Sequence, residues 1–241
     1  MSEIQLPIIG IMHSPYQEKF GIPRQPNLVQ VQSYIEMQAP YNDLAAFEGI
    51  EEFSHLWLVW QFHDNKNQHK KDQFRAQVRP PRLGGNKKIG VFATRSMYRP
   101  APIGLSVVQL QAIKKEGKSV RVYLTGSDLL DGTPILDIKP YIHYSDAVFE
   151  AQSGYAQQEP TRMKVQWSEL ATLEKQRLLA QQLIIQSRFD ELDQVLSLDP
   201  RPAYQEDSDR IYKMKFAQLD VSFIIRGQKL EVIALDSIEL I

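Results

Sequence analysis

The sequence predicts an all-β barrel or sandwich over about the first 145 residues, followed by a smaller α+β unit. Short runs rich in branched and aromatic residues recur through the first part, with Gly, Pro, Asn and Asp between them. Helical periodicity appears only further on, where Leu170, Leu173, Leu178, Leu179, Leu183, Ile184 and Phe189 follow a helical repeat. At 241 residues, 43% hydrophobic and 24% charged, the chain has an ordinary globular composition and room for one large domain or two modest ones. No cysteine is present, which excludes disulfides, thiolate nucleophiles and Cys-type zinc sites. Apolar runs at 6–12 and 56–60 fall far short of the 18 or more residues of a spanning helix, so no membrane partner is expected. Met1-Ser2-Glu3 lacks the basic start of a signal peptide, which makes the cytosol the expected compartment.

In chain order, residues 5–13 read as a first strand ended by Ser14-Pro15. Gly21, Pro23 and Pro26 make residues 16–28 a loop, to which Lys19 and Arg24 add cations. Val29, Val31, Tyr34 and Met37 suggest a second strand, Asn42 a cap for a short helical turn, and residues 53–63 a central strand. Residues 64–88 form a long polar connection. Residues 89–93 and 105–113 read as buried strands, 114–118 as a hairpin turn, 119–124 and 135–141 as further strands. On the last of these, Asp137 and Lys139 share one face. A linker is expected at 151–165, then one helix over 167–196 stopped by Asp199-Pro200, then a meander at 211–217, 219–226 and 230–235. The expected division is therefore a barrel unit over 1–150 and an α+β unit over 166–241.

The net charge of −1 conceals an uneven distribution. Lys66, Lys70, Lys71, Arg75, Arg79, Arg82, Lys87, Lys88, Arg95 and Arg99 are opposed locally only by Asp72. Such a segment can steer a polyanion, or can be a solvated loop. Several chemistries are excluded by pattern: there is no G-x-G pair, no phosphate-cradling glycine loop and no G-x-S-x-G elbow. The five histidines are scattered, so no metal site is expected.

The stretch 94–105, Thr-Arg-Ser-Met-Tyr-Arg-Pro-Ala-Pro-Ile-Gly-Leu, is the most informative. Pro100 and Pro102 stiffen it, so Arg95 and Arg99 are either two aimed guanidinium forks, suited to carboxylates, phosphates or adenine, or two solvated arginines on a turn.

The run Arg95-Ser96-x-x-Arg99-Pro100-x-Pro102-Ile103-Gly104-Leu105-Ser106, with Asp131-Gly132-Thr133-Pro134-x-x-Asp137-Ile138-Lys139-Pro140-Tyr141, resembles the TsaA-like family of TrmO-type tRNA methyltransferases. Ser14-Pro15-Tyr16, Pro23-Arg24-Gln25-Pro26, Phe53-Ser54-His55-Leu56-Trp57, Arg79-Pro80-Pro81-Arg82 and Asp199-Pro200-Arg201-Pro202-Ala203-Tyr204 extend the likeness over nearly the whole chain. The resemblance implies a homodimeric, single-sheet β-barrel that uses S-adenosyl-L-methionine to methylate N6 of threonylcarbamoyladenosine beside the anticodon of tRNA. It also implies cofactor contacts at Pro26, Asn27, Leu28, Asp64, Asn65, Arg95, Leu105, Thr125, Gly126, Ser127 and Asp128, and a role for Arg201 and Tyr204 in admitting tRNA.

The residue types suit such a task. A sulfonium donor needs a counter-ion for its carboxylate, for which Arg95 is the candidate, while Asp128 suits the ribose or the ammonium. The urea-like substrate nitrogen must lose a proton, with Asp137 and Tyr141 as candidate acceptors. Lys139 or Arg99 would hold the threonyl carboxylate. The competing view makes Asp137 and Lys139 a cross-strand ion pair. Two other functions fit less of the pattern, a non-enzymatic RNA-binding barrel and a methyltransferase of a small molecule.

Overall fold

The computed structural model describes residues 4–65, 74–201 and 210–237. The first unit is a closed barrel built from β1 (Gly10–His13), β2 (Gln32–Met37), β3 (His55–Gln61), β6 (Ile103–Glu116), β7 (Ser119–Thr125) and β8 (Pro134–Pro140). A two-stranded ribbon, β4 (Gln77–Val78) with β5 (Ile89–Gly90), stands outside it. The order around the barrel is β1-β2-β7-β6-β3-β8, and β8 closes onto β1 with Gly10 opposite Ile135. Every neighbouring pair is antiparallel. Period-two alternation drives this: Leu56, Leu58 and Trp60 point inward from β3 while His55, Trp57 and Val59 point outward. Met12, Ile35, Leu56, Leu58, Val108, Val122 and Ile135 fill the interior.

The second unit contains β9 (Lys164–Trp167), α2 (Glu169–Ala180), α3 (Gln186–Ser197), β10 (Tyr212–Phe216), β11 (Leu219–Arg226) and β12 (Lys229–Ser237). A single-turn helix, α1 (His143–Asp146), precedes it. Its sheet runs β10-β11-β12-β9, with β9 parallel to β12. One face of this sheet packs with Leu178, Phe189, Leu192 and Val195 of the helices. The same core takes in Tyr16, Val29 and Val31 from the barrel unit, so the two units are welded by one apolar cluster. Backbone bonds reinforce the seam: Tyr16 bridges Phe216, and the Ala217 N–H donates to the Pro15 carbonyl at 2.7 Å.

Several expectations need correction. The first strand begins at Gly10 rather than residue 5, and the second at Gln32, because Ile4, Leu6 and Ile8 have no core to enter and stay exposed. Residues 89–93 are not a buried strand but two ribbon residues and a 3-10 turn, in which Val91 alone is buried. The single helix over 167–196 is two helices. Ser168 caps the first by accepting from the Ala171 N–H, and a left-handed Gln182 (φ 56°) breaks the path before the second. Lys164 and Val165, expected in a linker, belong to strand β9. The turn after Pro40 is capped by Asp43 rather than Asn42, whose amide instead donates to the Lys118 carbonyl. Among the described residues no helix is long and apolar enough to cross a membrane, and no group of acidic or histidine side chains could hold a metal ion.

Candidate active site

The residues proposed for the cofactor come from five segments, 26–28, 64–65, Arg95, Leu105 and 125–128. Between β1 and β2, Asn27 adopts a left-handed backbone (φ 62°), which turns its N–H toward the Gly126 carbonyl at 2.8 Å. Its side-chain amide donates to the Val107 carbonyl of β6 at 2.9 Å. Gly126 is also left-handed (φ 81°), and a Cβ there would lie 2.2 Å from Asn27 Oδ1, so only glycine lets the loops meet. Pro26-Asn27-Leu28 and the Thr125-Asp128 turn after β7 are thus stitched to each other and to β6. Leu28 is held from outside, since Arg162 donates to its carbonyl.

Asp128 stands at the centre. The Ser106 hydroxyl donates to its Oδ1 at 2.7 Å, and the Trp60 indole N–H donates to Ser106 at 3.0 Å. Burial pushes the Asp128 carboxyl up to about 6, with Ser106, its own backbone N–H and the Arg95 charge pulling the other way. The same carboxylate helps raise the buried Tyr16 phenol, whose hydroxyl has no hydrogen-bond partner among the described residues, although burial is the larger cause. Trp60 reaches Ser106 because Gly104 offers no side chain: a Cβ there would lie 2.2 Å from the indole ring. Ser127 is buried and accepts from the Leu129 N–H, while Thr125 is tied to Gln109 and Gln111.

Arg95 projects from the proline-braced loop and donates to Gln25 Oε1, which places it beside the 25–28 segment. Arg99 turns back to donate to the Thr94 carbonyl at 2.9 Å and braces the loop that carries Arg95. Asp64 pairs with Lys19 at 3.3 Å, which brings the chain after β3 against the 16–28 loop, and Asn65 beside it is buried. Leu105 faces outward on β6 and is 52% exposed.

The candidate substrate and proton-transfer residues lie on the outer wall. Asp137 and Lys139 pair at 2.5 Å within β8, not across strands, because both side chains leave the same face. Asp137 is in register with Val59, and Val59 with Leu105, so Leu105 and Asp137 share an outer row about 10 Å across. Tyr141 packs against His55 and Trp57 at the opposite end of β3 from the 100–103 loop. Neither Asp137 nor Tyr141 hydrogen-bonds to the Asp128 group. Arg201 clasps Asp199 through Nε and Nη2, both at 2.9 Å, and its carbonyl accepts from Arg24 of the 16–28 loop. Tyr204 lies outside the described residues.

Sequence reasoning passed over Ser106, Trp60, Gln25 and Gly104 as participants. Ser106 carried a legible signal: it is a hydroxyl at an inward position of a strand whose neighbouring inward positions are Gly104 and Val108.

A buried carboxylate beside a guanidinium, in a cradle closed by glycine, fits a ligand carrying both a cation and an anion. Sulfonium and ammonium would complement Asp128, and a carboxylate would complement Arg95; S-adenosylmethionine carries all three.

Comparison with known proteins finds likeness over almost the whole chain. Residues 11–147 match the tRNA-methyltransferase O N-terminal domain, and residues 160–238 match the TrmO C-terminal domain. The tRNA (adenine(37)-N6)-methyltransferase of Escherichia coli strain K12 is 41% identical over 244 residues, covering 98% of this chain and 99% of that one. A Pseudomonas aeruginosa PAO1 protein with the provisional name S-adenosylmethionine-dependent methyltransferase RcsF is 45% identical over 215 residues, covering 88% of this chain and 89% of its own length. A crystal structure of TrmO superposes with a TM-score of 0.78 at 35% identity, over 98% of this chain and 100% of that one. Both domains are matched in order, and the barrel with its α+β appendage is the fold of those structures, so the chain belongs to the tRNA-methyltransferase O family.

Proposed function

We propose that this chain transfers a methyl group from S-adenosylmethionine to N6 of the threonylcarbamoyl-bearing adenosine at position 37 of tRNA. The observation that carries the reading is the buried Asp128 carboxylate, fixed by Ser106 and neighboured by Arg95. The E. coli relative's name supports adenine 37 and N6, and the Pseudomonas relative's name supports the donor.

The donor, when bound, supplies a methyl group activated by a positive sulfonium. The chain's own task is then to hold donor and acceptor in line, which can supply much of the rate. Asn27, Gly126 and Ser106 fix the cradle, Arg95 binds the donor carboxylate, and Asp128 faces positive charge. The incoming nitrogen bears a proton that must leave as the new N–C bond forms. Asp137 is better placed than Tyr141 to take it, because it shares the outer row with Leu105. Lys139 beside it, or Arg99, meets the threonyl carboxylate. In this reading the enzyme is a cytoplasmic homodimer, and the exposure of Phe92 (71%), Leu105 and Ile103 around the loop supports a second copy there. Arg75, Arg79, Arg82, Lys87 and Lys88 lead into the same loop and offer positive charge to RNA.

Incubation with methyl-labelled donor and total tRNA, followed by digestion to nucleosides, tests the proposal. Label should appear in N6-methylated threonylcarbamoyladenosine. Label on unmodified adenosine, or on a small molecule and no RNA, contradicts it, and so does binding of RNA without transfer.

A further inference from the structure

The open face of the C-terminal sheet carries an arrangement the reaction does not use. Arg226 of β11 lies opposite Lys229 of β12, and Lys229 lies opposite Lys164 of β9. All three are exposed and stand abreast on adjacent strands, spaced by about 5 Å. Like charges directly opposite one another destabilise a sheet, and a hairpin end such as Arg226-Gly227-Gln228-Lys229 imposes no need for them. Among the described residues none of the three forms an ion pair. The nearest acid on this face by register is Glu231, opposite Gln166. Lys213 of β10 lies opposite Ser222 in the middle of the face, and at the far end Asp220 lies opposite both Lys215 and Asp236. Lys164, Lys229 and Arg226 thus gather cations at one end of the face without an acid opposite any of them, which suits an anionic partner.

Its position says which anion. Two residues before Lys164, Arg162 donates to the carbonyl of Leu28, in the segment stitched to the Asp128 turn. Arg162 thus ties the strand that carries Lys164 to the 25–28 loop, and the row runs across the sheet from that strand. An RNA whose reacting base enters that cradle must lay its flanking backbone somewhere nearby, and phosphate contacts supply position and affinity without sequence information.

We infer that Lys164, Lys229 and Arg226 form a docking row for the phosphodiester backbone that flanks the reacting nucleotide. This rests on the tRNA reading above, and it assigns to the C-terminal sheet the task of holding the RNA while the barrel does the chemistry.

The test replaces all three by glutamine, K164Q/R226Q/K229Q, in the full chain. A matched variant, K114Q/K115Q, removes charge at the far hairpin end of β6. The row variant should bind tRNA at least about ten-fold more weakly at low salt, and the slope of log affinity on log salt should fall by about three. Affinity for S-adenosylmethionine and the rate at saturating tRNA should not change, and the β6 variant should match wild type. An unchanged salt slope in the row variant overturns the inference. Should that variant fold poorly, acetylation of wild-type Lys164 and Lys229 with and without tRNA decides: protection relative to Lys114 and Lys115 supports the row, and equal labelling removes it. If wild-type protein binds tRNA along this row yet transfers no methyl group, the functional reading fails while the row stands.

Discussion

In the proposed reading, Asp128 links the stability of the fold to binding of the donor. Its carboxyl is raised to about 6 from an ordinary 3.8, chiefly by burial. Between those values the folded chain keeps a proton that the unfolded chain releases, so the favourable contribution is complete below the ordinary value and is lost as pH rises through about 6. At neutral pH the ionised group costs the fold on the order of 3 kcal/mol. A bound cation would offset that cost. Asp128→Asn should therefore raise stability at pH 7.5 by about 1–3 kcal/mol in denaturant melts while weakening S-adenosylmethionine by at least about ten-fold in calorimetry. A variant that is both less stable and fully able to bind would remove Asp128 from this role. For the wild type, affinity should increase from pH 5 to pH 7 as the carboxylate ionises. Arg95→Ala should lose cofactor affinity and keep its fold, read by calorimetry beside circular dichroism. At Asp137, replacement by Asn should lower kcat with cofactor affinity unchanged, and full turnover would leave the residue as the ion-pair partner of Lys139.

At the scale of the element, β6 joins the barrel packing to the candidate site. Gly104 admits the Trp60 indole, Trp60 steadies Ser106, and Ser106 aims Asp128. Gly104→Ala should cost about 1–3 kcal/mol through overpacking and should weaken cofactor binding as well. Thermal melts and titration would separate this from a purely local effect, in which only stability falls. The barrel strands were legible because alternation such as Leu56, Leu58, Trp60 has one interpretation once a face is buried. The break between α2 and α3 was not legible, since Leu178, Leu183 and Phe189 keep a helical rhythm across a turn made by a left-handed Gln182. Residues 89–93 misled for a related reason: Ile89, Val91 and Phe92 are apolar, yet Phe92 is exposed and stacks on Phe74 instead of entering a core. In the site, motif likeness led to Arg95, Asn27 and Asp128. It could not reveal that Arg99 braces its own loop or that Arg201 is clasped by Asp199, because both depend on side-chain geometry.

For the whole molecule, the decisive fact is the shared core. Tyr16, Val29 and Val31 of the barrel unit are buried against Phe216, Phe223 and Leu192 of the other, and Gln32 N–H donates to the buried Glu191 carboxylate. Residues 1–150 expressed alone would expose that apolar seam and should aggregate or unfold, while the full chain should melt in a single transition. A soluble 1–150 fragment with full cofactor affinity would show that the α+β unit is not needed to hold the 25–28 loop. The central claim is that the cradle of Asn27, Arg95, Ser106, Gly126 and Asp128 is where the methyl donor sits. A crystal structure of the protein with S-adenosylmethionine tests it most directly: the account predicts density for the sulfonium and amino-acid end between Asp128 and Arg95, and density elsewhere, for instance in the surface hollow lined by Glu36, Glu116 and Lys118, would contradict it.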